Sequence, residues 1–221
     1  MGLAGINENY DHRHVSHHYD VWPGHRVTWE DNPELAKAIQ ISNRKRAQQN
    51  DSAHGIIHRL FTAIRLKDLC ETAQNLYQLM NHGFITRALH TTHNPYRLHF
   101  PDLQGAMPAI LLEISVYSAP ETIEFLPAMP ASLAQGAIDG VWLYTWTKLE
   151  HMQWTPQSFP TKLRPSRCAA AEHCGPSASM ASNNHWMVTT RTIPSHRGKE
   201  SWLTLRFQLN CDRCSNLISG R

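Results

Sequence analysis

The residues between Asp11 and Gly24 are the part of the sequence best equipped for chemistry. This block holds four histidines, an arginine, two aspartates, a tyrosine and a tryptophan, and it ends in Pro-Gly. Such side chains combine fixed donors, titratable groups and an apolar wall, which suits a hydroxylated or anionic ligand. The alternatives are a solvated histidine-rich loop and a metal-binding tract. His14, His17 and His18 lack the i, i+4 spacing of a helical zinc pair.

A second stretch with chemical potential covers residues 84–101 and leads to Asp102. It interrupts the helical pattern, and it brings three histidines. Long irregular segments between helices are more often functional than structural. An aspartate before a helix is usually an N-cap, and a cap still leaves one carboxylate oxygen free. Next to Arg13 and His14, the Asp102 carboxylate would suit activation of water or a hydrogen bond to a sugar hydroxyl.

Three helices are predicted between these two stretches. Asn32-Pro33-Glu34 is a typical start for the first helix, Asp51-Ser52 for the second and Asp68 for the third, which should end at Asn81-His82-Gly83. Apolar residues at helical spacing define their predicted buried faces, with Leu35, Ala38 and Ile39 in the first, Ile56, Ile57, Leu60, Phe61 and Ile64 in the second, and Leu69, Ala73, Leu76, Tyr77 and Met80 in the third. The short connections favour antiparallel helix pairs, as in bundles and α/α toroids.

A fourth helix is predicted over residues 103–118, and strands are predicted after it. The apolar residues of this helix run almost all round it, which indicates a buried inner helix, and Pro108 could kink it. After Ala119-Pro120 the period changes towards two, which predicts a strand at Thr122–Phe125 and one or two strands within Val141–Trp154. The sequence therefore predicts an α+β chain.

The last part of the chain, residues 158–221, shows little periodicity apart from a possible strand at residues 202–209. It is interpreted either as a loop-rich end of the β-region or as a stretch translated out of frame. Four of the five cysteines fall here, at Cys168, Cys174, Cys211 and Cys214. Five residues separate the first pair, so the spacing only weakly supports a zinc module. Cys70 is expected to be a small buried side chain.

The bulk composition excludes several classes. The formal net charge is +3, with 15 histidines, and the lysines and arginines are scattered, so we predict no nucleic-acid partner. We also predict no membrane span, since no apolar run reaches roughly 18 residues. The amino end lacks the features of a signal peptide, so the chain as written is expected to be cytoplasmic. That expectation fails if Met1 is an internal methionine, and it leaves export of the parent enzyme open.

Several ordered motifs resemble glycoside hydrolase family 95, the 1,2-α-L-fucosidase-like enzymes. The first is His-Arg-His-Val-Ser-His-x-Tyr followed by Pro-Gly, within Asp11–Gly24. The others are Phe100-Pro101-Asp102-Leu103-Gln104, a helix carrying Glu113, and the connector Phe125-Leu126-Pro127-Ala128-Met129-Pro130. The resemblance covers roughly residues 5–150.

The resemblance implies an α+β multidomain fragment. Residues 1–118 would be the C-terminal part of a catalytic (α/α)6 barrel, so that their helices form a partial toroid. Residues 119–157 would begin a C-terminal, β-sandwich-like domain, and residues 158–221 form the tail described above.

The resemblance also implies an inverting exo-glycosidase that removes terminal α-L-fucosyl residues from an oligosaccharide or glycan. Asp102 matches the family's catalytic base, and Arg13 and His14 match its ligand-binding pair. His99 matches the histidine before the base, and Gln104 takes the position of an asparagine after it. No cofactor and no metal are predicted.

This chain departs from the family pattern in three ways. The water-holding Asn-x-Asn motif and the general-acid glutamate lie upstream of the Arg-His block in the family, and Asn7-Glu8-Asn9 only imitates the former. The chain alone is therefore expected to be a truncated piece, inactive or nearly so. Leu103 and Gln104 replace Gly and Asn after the base. His54, Gly55 and His58 stand where the family often has a tryptophan-containing helix, so an α-L-galactoside substrate or a non-catalytic carbohydrate-binding remnant is an alternative.

Overall fold

The computed structural model describes residues 9–46, 52–119, 122–144, 147–155, 159–165, 176–181, 185–190 and 201–205. Beyond residue 155 the description covers the backbone alone. Contacts divide the chain into two compact units, Met1–Ser115 with Pro127–Pro130, and Val116–Leu126 with Ala131–Arg221. The predicted domain bounds at residues 118 and 157 rest on the family resemblance and stay a prediction.

Among the described residues of the first unit, four α-helices follow a short 3-10 helix at Ser16–His18. They are α1 (Pro33–Lys45), α2 (Ala53–Arg65), α3 (Leu69–Asn81) and α4 (Pro101–Ser115). The starts of α2 and α3 follow from local capping, because Ser52 Oγ accepts a hydrogen bond from Gly55 N at 3.2 Å and Asp68 Oδ1 accepts one from Glu71 N at 3.3 Å. These starts were predicted from sequence, and the structure confirms them.

Helix α2 is the centre of this unit, and it packs against α1, α3 and α4. Its predicted apolar face is confirmed, since all five residues of that face are buried. They are joined by apolar side chains from the neighbouring helices and from the loop before α4, namely Leu76, Leu79, Phe84, Leu103, Ile110 and Ile114. The result is a continuous hydrophobic core around α2, which is the main source of stability for a unit of this size.

The predicted faces of α1 and α3 were wrong in part, although Ile39 and Leu76 are buried as predicted. Leu35 of α1 and Tyr77 and Met80 of α3 are about half exposed. Polar side chains take part of the buried face instead, because they find backbone partners. Asn43 Nδ2 donates to the carbonyl of Arg59 at 3.1 Å, and Asn75 Nδ2 donates to the carbonyl of Glu71 at 2.7 Å.

Helix α4 also differs from its prediction. It begins at Pro101, so Asp102 lies inside its first turn and is not its N-cap. It ends at Ser115, and the next four residues form a strand. Leu111 and Leu112 are 44% and 38% exposed, so α4 is not buried all round among the described residues.

In the described part of the second unit, eight short strands form two antiparallel sheets of four. The strands are β1 (Val116–Ala119), β2 (Thr122–Phe125), β3 (Gly136–Trp142), β4 (Thr147–Trp154), β5 (Phe159–Pro165), β6 (Pro176–Ala181), β7 (His185–Thr190) and β8 (Ser201–Leu205). One sheet has the order β1-β2-β7-β6 and the other β3-β4-β5-β8. The predicted strand at Thr122–Phe125 is confirmed. The chain is therefore mixed α+β, whereas the partial toroid and the sandwich remain predictions.

Two further expectations concern the cysteines and the membrane. Cys70 is half-buried and not fully buried as expected. The four cysteines of the tail lie outside the described residues. Among the residues that are described, no helix combines the length and the apolar character needed to cross a bilayer.

Candidate functional site

The first turn of α2 is the place where the chemically equipped segments of the first unit meet. Ser52 caps this turn, and His54 and Gly55 follow. His58 lies one helical turn further on, so both imidazoles project from the same side of α2. Their ring centroids are 4.4 Å apart.

The Asp11–Gly24 block reaches this turn through Arg13 and His14. A Cβ atom at Gly55 would lie only 3.3 Å from Cα and Cβ of Arg13, so the glycine permits close approach of the block. The His14 ring lies 5.0 Å from the His54 ring in an edge-on arrangement. The Arg46 guanidinium further holds the block by donating from Nη1 to the carbonyl of His14 at 3.4 Å.

Buried side chains anchor the same block to the core. Val15, His18 and Val21 are buried, whereas Arg13 and His14 are exposed. His18 Nε2 lies 3.2 Å from Oγ of Ser42. Burial, with a smaller contribution from His17, lowers the pKa of His18 to about 3, so this imidazole is neutral at neutral pH. The block thus exposes Arg13 and His14 on one side and contributes to the core on the other.

The loop before α4 reaches the α2 turn from another direction. The amide of Ala53 donates to the carbonyl of His93 at 2.7 Å. The Phe100 ring lies 6.3 Å from the His54 ring and 4.9 Å from the His93 ring. Since Asp102 follows Phe100 by two residues, these contacts place the start of α4 near the same end of α2.

The charges around His54 agree with this arrangement. Burial lowers the pKa of His54, the His14 and Arg13 charges lower it further, and the Asp102 carboxylate opposes them. Burial, followed by the charges of His54 and His14, lowers the pKa of His58 to about 4. Both imidazoles are therefore neutral near pH 7, and each offers one donor and one acceptor nitrogen.

An aromatic wall continues from His58. The Trp22 ring lies 5.4 Å from His58 and stacks on Phe61 with a centroid distance of 4.3 Å and an angle of 5°. Trp22 is only partly buried. An indole supported on one face can offer apolar area to the C–H groups of a sugar ring, beside imidazoles that bind hydroxyls.

The structure brings together three of the five predicted site residues. Arg13 and His14 lie against the first turn of α2, and the charge of Asp102 acts on His54 in that turn. His99 lies elsewhere, with its ring 6.2 Å from that of His90, in a cleft of about 450 Å³ lined also by Thr86, Thr91 and Thr92. Gln104 is exposed on α4, and no contact links it to the imidazoles in the described part of the chain. The roles of all five residues stay predictions.

Sequence reasoning treated His54 and His58 only as departures from the family pattern, not as members of the site. Their i, i+4 spacing was the available signal, because it predicts that two side chains share one face of a helix. The spacing alone does not reveal which segments pack on that face. Within the described ranges, no three His, Cys, Asp or Glu side chains form a group that could hold a metal ion.

Glu113, which the resemblance singled out, takes part in an ion pair at the other end of α2. Its Oε1 accepts a hydrogen bond from Nη2 of Arg65 at 2.7 Å, and a second bond joins Oε2 to Nε of Arg65. Arg65 Nη1 also lies 2.9 Å from Nδ1 of His25 and 3.4 Å from the carbonyl of Gly24. This group ties α4 and the Pro-Gly turn to α2.

Comparison with known proteins gives a match to a family model. Residues 6–101 match the model of the glycosyl hydrolase family 95 catalytic domain. This part of the chain is therefore similar to family 95 glycoside hydrolases. The family 95 match includes the Arg13-His14 pair, His54, His58 and His99, and it ends one residue before Asp102. Residues 6–101 thus contain every part of the imidazole cluster, and the predicted base stands at their border.

A curated protein is also similar to this chain. The protein named alpha-L-fucosidase 2 from Arabidopsis thaliana is 28% identical over 143 residues. The aligned part is 59% of this chain and 16% of that relative. The chain therefore spans about a sixth of the length of the relative it matches.

Proposed function

We propose that this chain is part of a family 95 glycoside hydrolase of α-L-fucosidase type, and that it carries the general base of the active site. Its substrate would be an oligosaccharide or glycan with a terminal α-L-fucosyl residue, hydrolysed with inversion. In this proposal Asp102 is the general base, Arg13 and His14 bind the sugar, and His99 and Gln104 contact it from further out.

One observation carries this proposal. Arg13 and His14 are far from Asp102 in sequence, yet the pair lies against the first turn of α2 and the charge of Asp102 acts on His54 in that turn. An arginine and an imidazole can bind sugar hydroxyls, and a carboxylate beside them can accept a proton from water. Asp102 is exposed in the first turn of α4, so water can reach it.

Inversion also needs a general acid on the opposite face of the sugar, commonly about 6.5–9.5 Å from the base. The Asn-x-Asn motif and the acidic residue of the family have no counterpart that we assign within these residues. We therefore propose that the acid comes from outside the 221 residues, and that this chain alone binds sugar without efficient hydrolysis.

Binding of L-fucose tests the sugar-binding part of the proposal. Calorimetric titration of the chain should give a measurable Kd, which Arg13→Ala and His14→Ala should raise by about tenfold each, or about 1.4 kcal/mol. Arg87→Ala, a change at an exposed loop arginine, is the matched control and should leave Kd unchanged. Equal Kd values for the control and the two site variants would refute the assignment of Arg13 and His14.

L-Galactose distinguishes the alternative substrate, because it differs from L-fucose only by a hydroxyl group on C6. Preference for L-fucose supports the fucosidase proposal, and preference for L-galactose would replace it with an α-L-galactosidase.

Hydrolysis is tested by joining the chain to the preceding part of the Arabidopsis relative. Proton NMR should show β-L-fucose as the first anomer released from a 1,2-α-L-fucoside, and Asp102→Asn should abolish its release. If such a fusion binds L-fucose but releases none, the non-catalytic carbohydrate-binding remnant becomes the better description.

A further inference from the structure

We propose that His54 is a positioning residue which fixes His14 and Asp102 relative to each other. The inference rests on the proposed function, since it assigns to a residue outside the predicted set the task of aligning the sugar-binding pair with the base. Its core claim concerns the ligand-free protein and can be tested without any sugar.

The contact of His54 with the first block is direct. Its ring meets the His14 ring edge-on at 5.0 Å, while the neighbouring Gly55 lets the Arg13 backbone approach α2 closely. His14 also touches His12 at 5.0 Å, but His12 belongs to the same exposed block. Among these contacts, the His54 ring is therefore the one that places His14 against a fixed helix.

His54 contacts the segment that carries Asp102 through the ring of Phe100. The two rings lie 6.3 Å apart, and the adjacent hydrogen bond from Ala53 N to the carbonyl of His93 fixes the same loop to the same turn. The charges of Arg13 and Asp102 both act on the pKa of His54, so both groups lie within electrostatic range of its ring. His54 thus touches both segments that must be aligned.

His58 does not have this location. Its ring contacts lead to His54 and to Trp22, so it continues the site towards the aromatic wall. His54 carries contacts to His14, His58 and Phe100 at once. A side chain without a ring at position 54 would leave His14 and Phe100 without their common neighbour.

The test compares His54→Ala, His54→Gln and His54→Phe with the wild-type chain. Carbon–proton NMR spectra of the His14 imidazole and the Asp102 side chain are recorded without ligand, and Kd for L-fucose is measured on the same samples. His82→Ala, at the exposed end of α3, is the matched control. Circular dichroism verifies that each variant is folded.

We expect Ala and Gln at position 54 to shift both the His14 and the Asp102 resonances and to raise Kd for L-fucose about tenfold. Phe keeps a planar ring, so it should return the His14 resonances close to their wild-type positions and bring Kd to within about threefold. The control should change neither readout. If the Ala variant does not fold, the contrast between Gln and Phe carries the test.

The inference is overturned if the resonances of His14 and Asp102 stay in place when the ring is removed, or if Phe restores them no better than Gln. Absence of L-fucose binding by the wild-type chain would refute the proposed function instead. The resonances would still decide whether His54 aligns the two segments.

Discussion

The two ends of α2 carry the same types of side chain. The charged side chains are paired at the last turn, here called the closed end, and exposed at the first turn, here called the open end. At the first turn, Arg13, the histidines and Asp102 come from the first block, α2 and α4. At the last turn, His25 comes from directly after the block, Arg65 from α2 and Glu113 from α4. At the last turn the carboxylate and the guanidinium are bonded to each other, with side chains 20% and 10% exposed. At the first turn the carboxylate and the guanidinium are both exposed.

This difference separates a structural ion pair from charged side chains that are accessible to a ligand. An arginine bonded twice to a carboxylate is already satisfied, so it fixes the helices that carry it. An arginine and a carboxylate that stay exposed beside neutral imidazoles keep bonding capacity for a sugar. The same segments can therefore be joined at one end and left open at the other.

The largest effect should follow from breaking the closed end. Glu113→Ala leaves the mostly buried Arg65 guanidinium without its carboxylate, so the free energy of unfolding should fall by about 2–3 kcal/mol, somewhat less than for a fully buried pair. Urea unfolding followed by circular dichroism measures it. Glu30→Ala is the control, because Glu30 is 37% exposed in its pair with Lys67 and should cost at most about 1 kcal/mol. Equal losses in the two variants would contradict the distinction.

Low pH should lower the free energy of unfolding through the imidazoles of His18 and His58. The pKa values of His18 and His58 lie at about 3 and about 4, whereas an unfolded histidine takes up its proton near pH 6.5. Below pH 6.5 the unfolded state thus binds more protons, and the free energy of unfolding falls as the pH drops towards 4. Calorimetry should show Tm falling by on the order of 10 °C between pH 7 and pH 4.5. A His58→Phe variant should lose part of this pH dependence, and an unchanged slope would argue against it.

A smaller effect is expected from a substitution at Gly55, where Arg13 lies close to α2. In Gly55→Ala the new methyl group would lie 3.2 Å from Oγ of Ser52 and 3.3 Å from Arg13, so the block must shift slightly. L-Fucose binding should weaken several-fold, while stability changes by less than about 1 kcal/mol. Gly105→Ala in α4 is the control, since nothing lies within 4 Å of its added methyl group. It should stabilise the chain slightly and leave binding intact.

The smallest effect on stability should come from Asp102→Asn. The carboxylate lies in the first turn of α4, where a negative charge contributes about 0.3–1 kcal/mol. Thermal unfolding should therefore change little, in contrast to Glu113→Ala. A loss as large as that of the Glu113 variant would show that Asp102 holds the structure and is not kept free.

Sequence reasoning succeeded where the cause is local. The starts of α2 and α3 were predictable because Ser52 and Asp68 bond to amides three residues away. The faces of α1 and α3 were not predictable, because Asn43 and Asn75 are buried through bonds to backbone carbonyls that a hydrophobic pattern does not contain. Helix α4 was misjudged for a related reason, since its apolar residues do not all face a partner among the described residues.

The candidate site was predictable in part. The motif around Arg13 and His14 and the aspartate at position 102 were identified through the family resemblance. In the structure the pair lies against the first turn of α2, and the charge of Asp102 acts on His54 in that turn. The part played by His54 depends on contacts with two segments distant in sequence, so no spacing along the chain could have revealed it. The position of His99 was not predictable for the same reason. It depends on the β-bridge between Thr92 and His99, which places His99 in another cleft.

The spacing of these residues constrains how the family can vary. His54 and Arg65 are eleven residues apart in α2, and so are Asp102 and Glu113 in α4. Eleven residues are close to three helical turns, which leaves only about 20° between the directions of the first and last side chains. Inserting or deleting one residue within either helix would rotate one end against the other by about 100°. Relatives that keep this arrangement should therefore differ within both helices by substitution, and gain or lose residues in the loops.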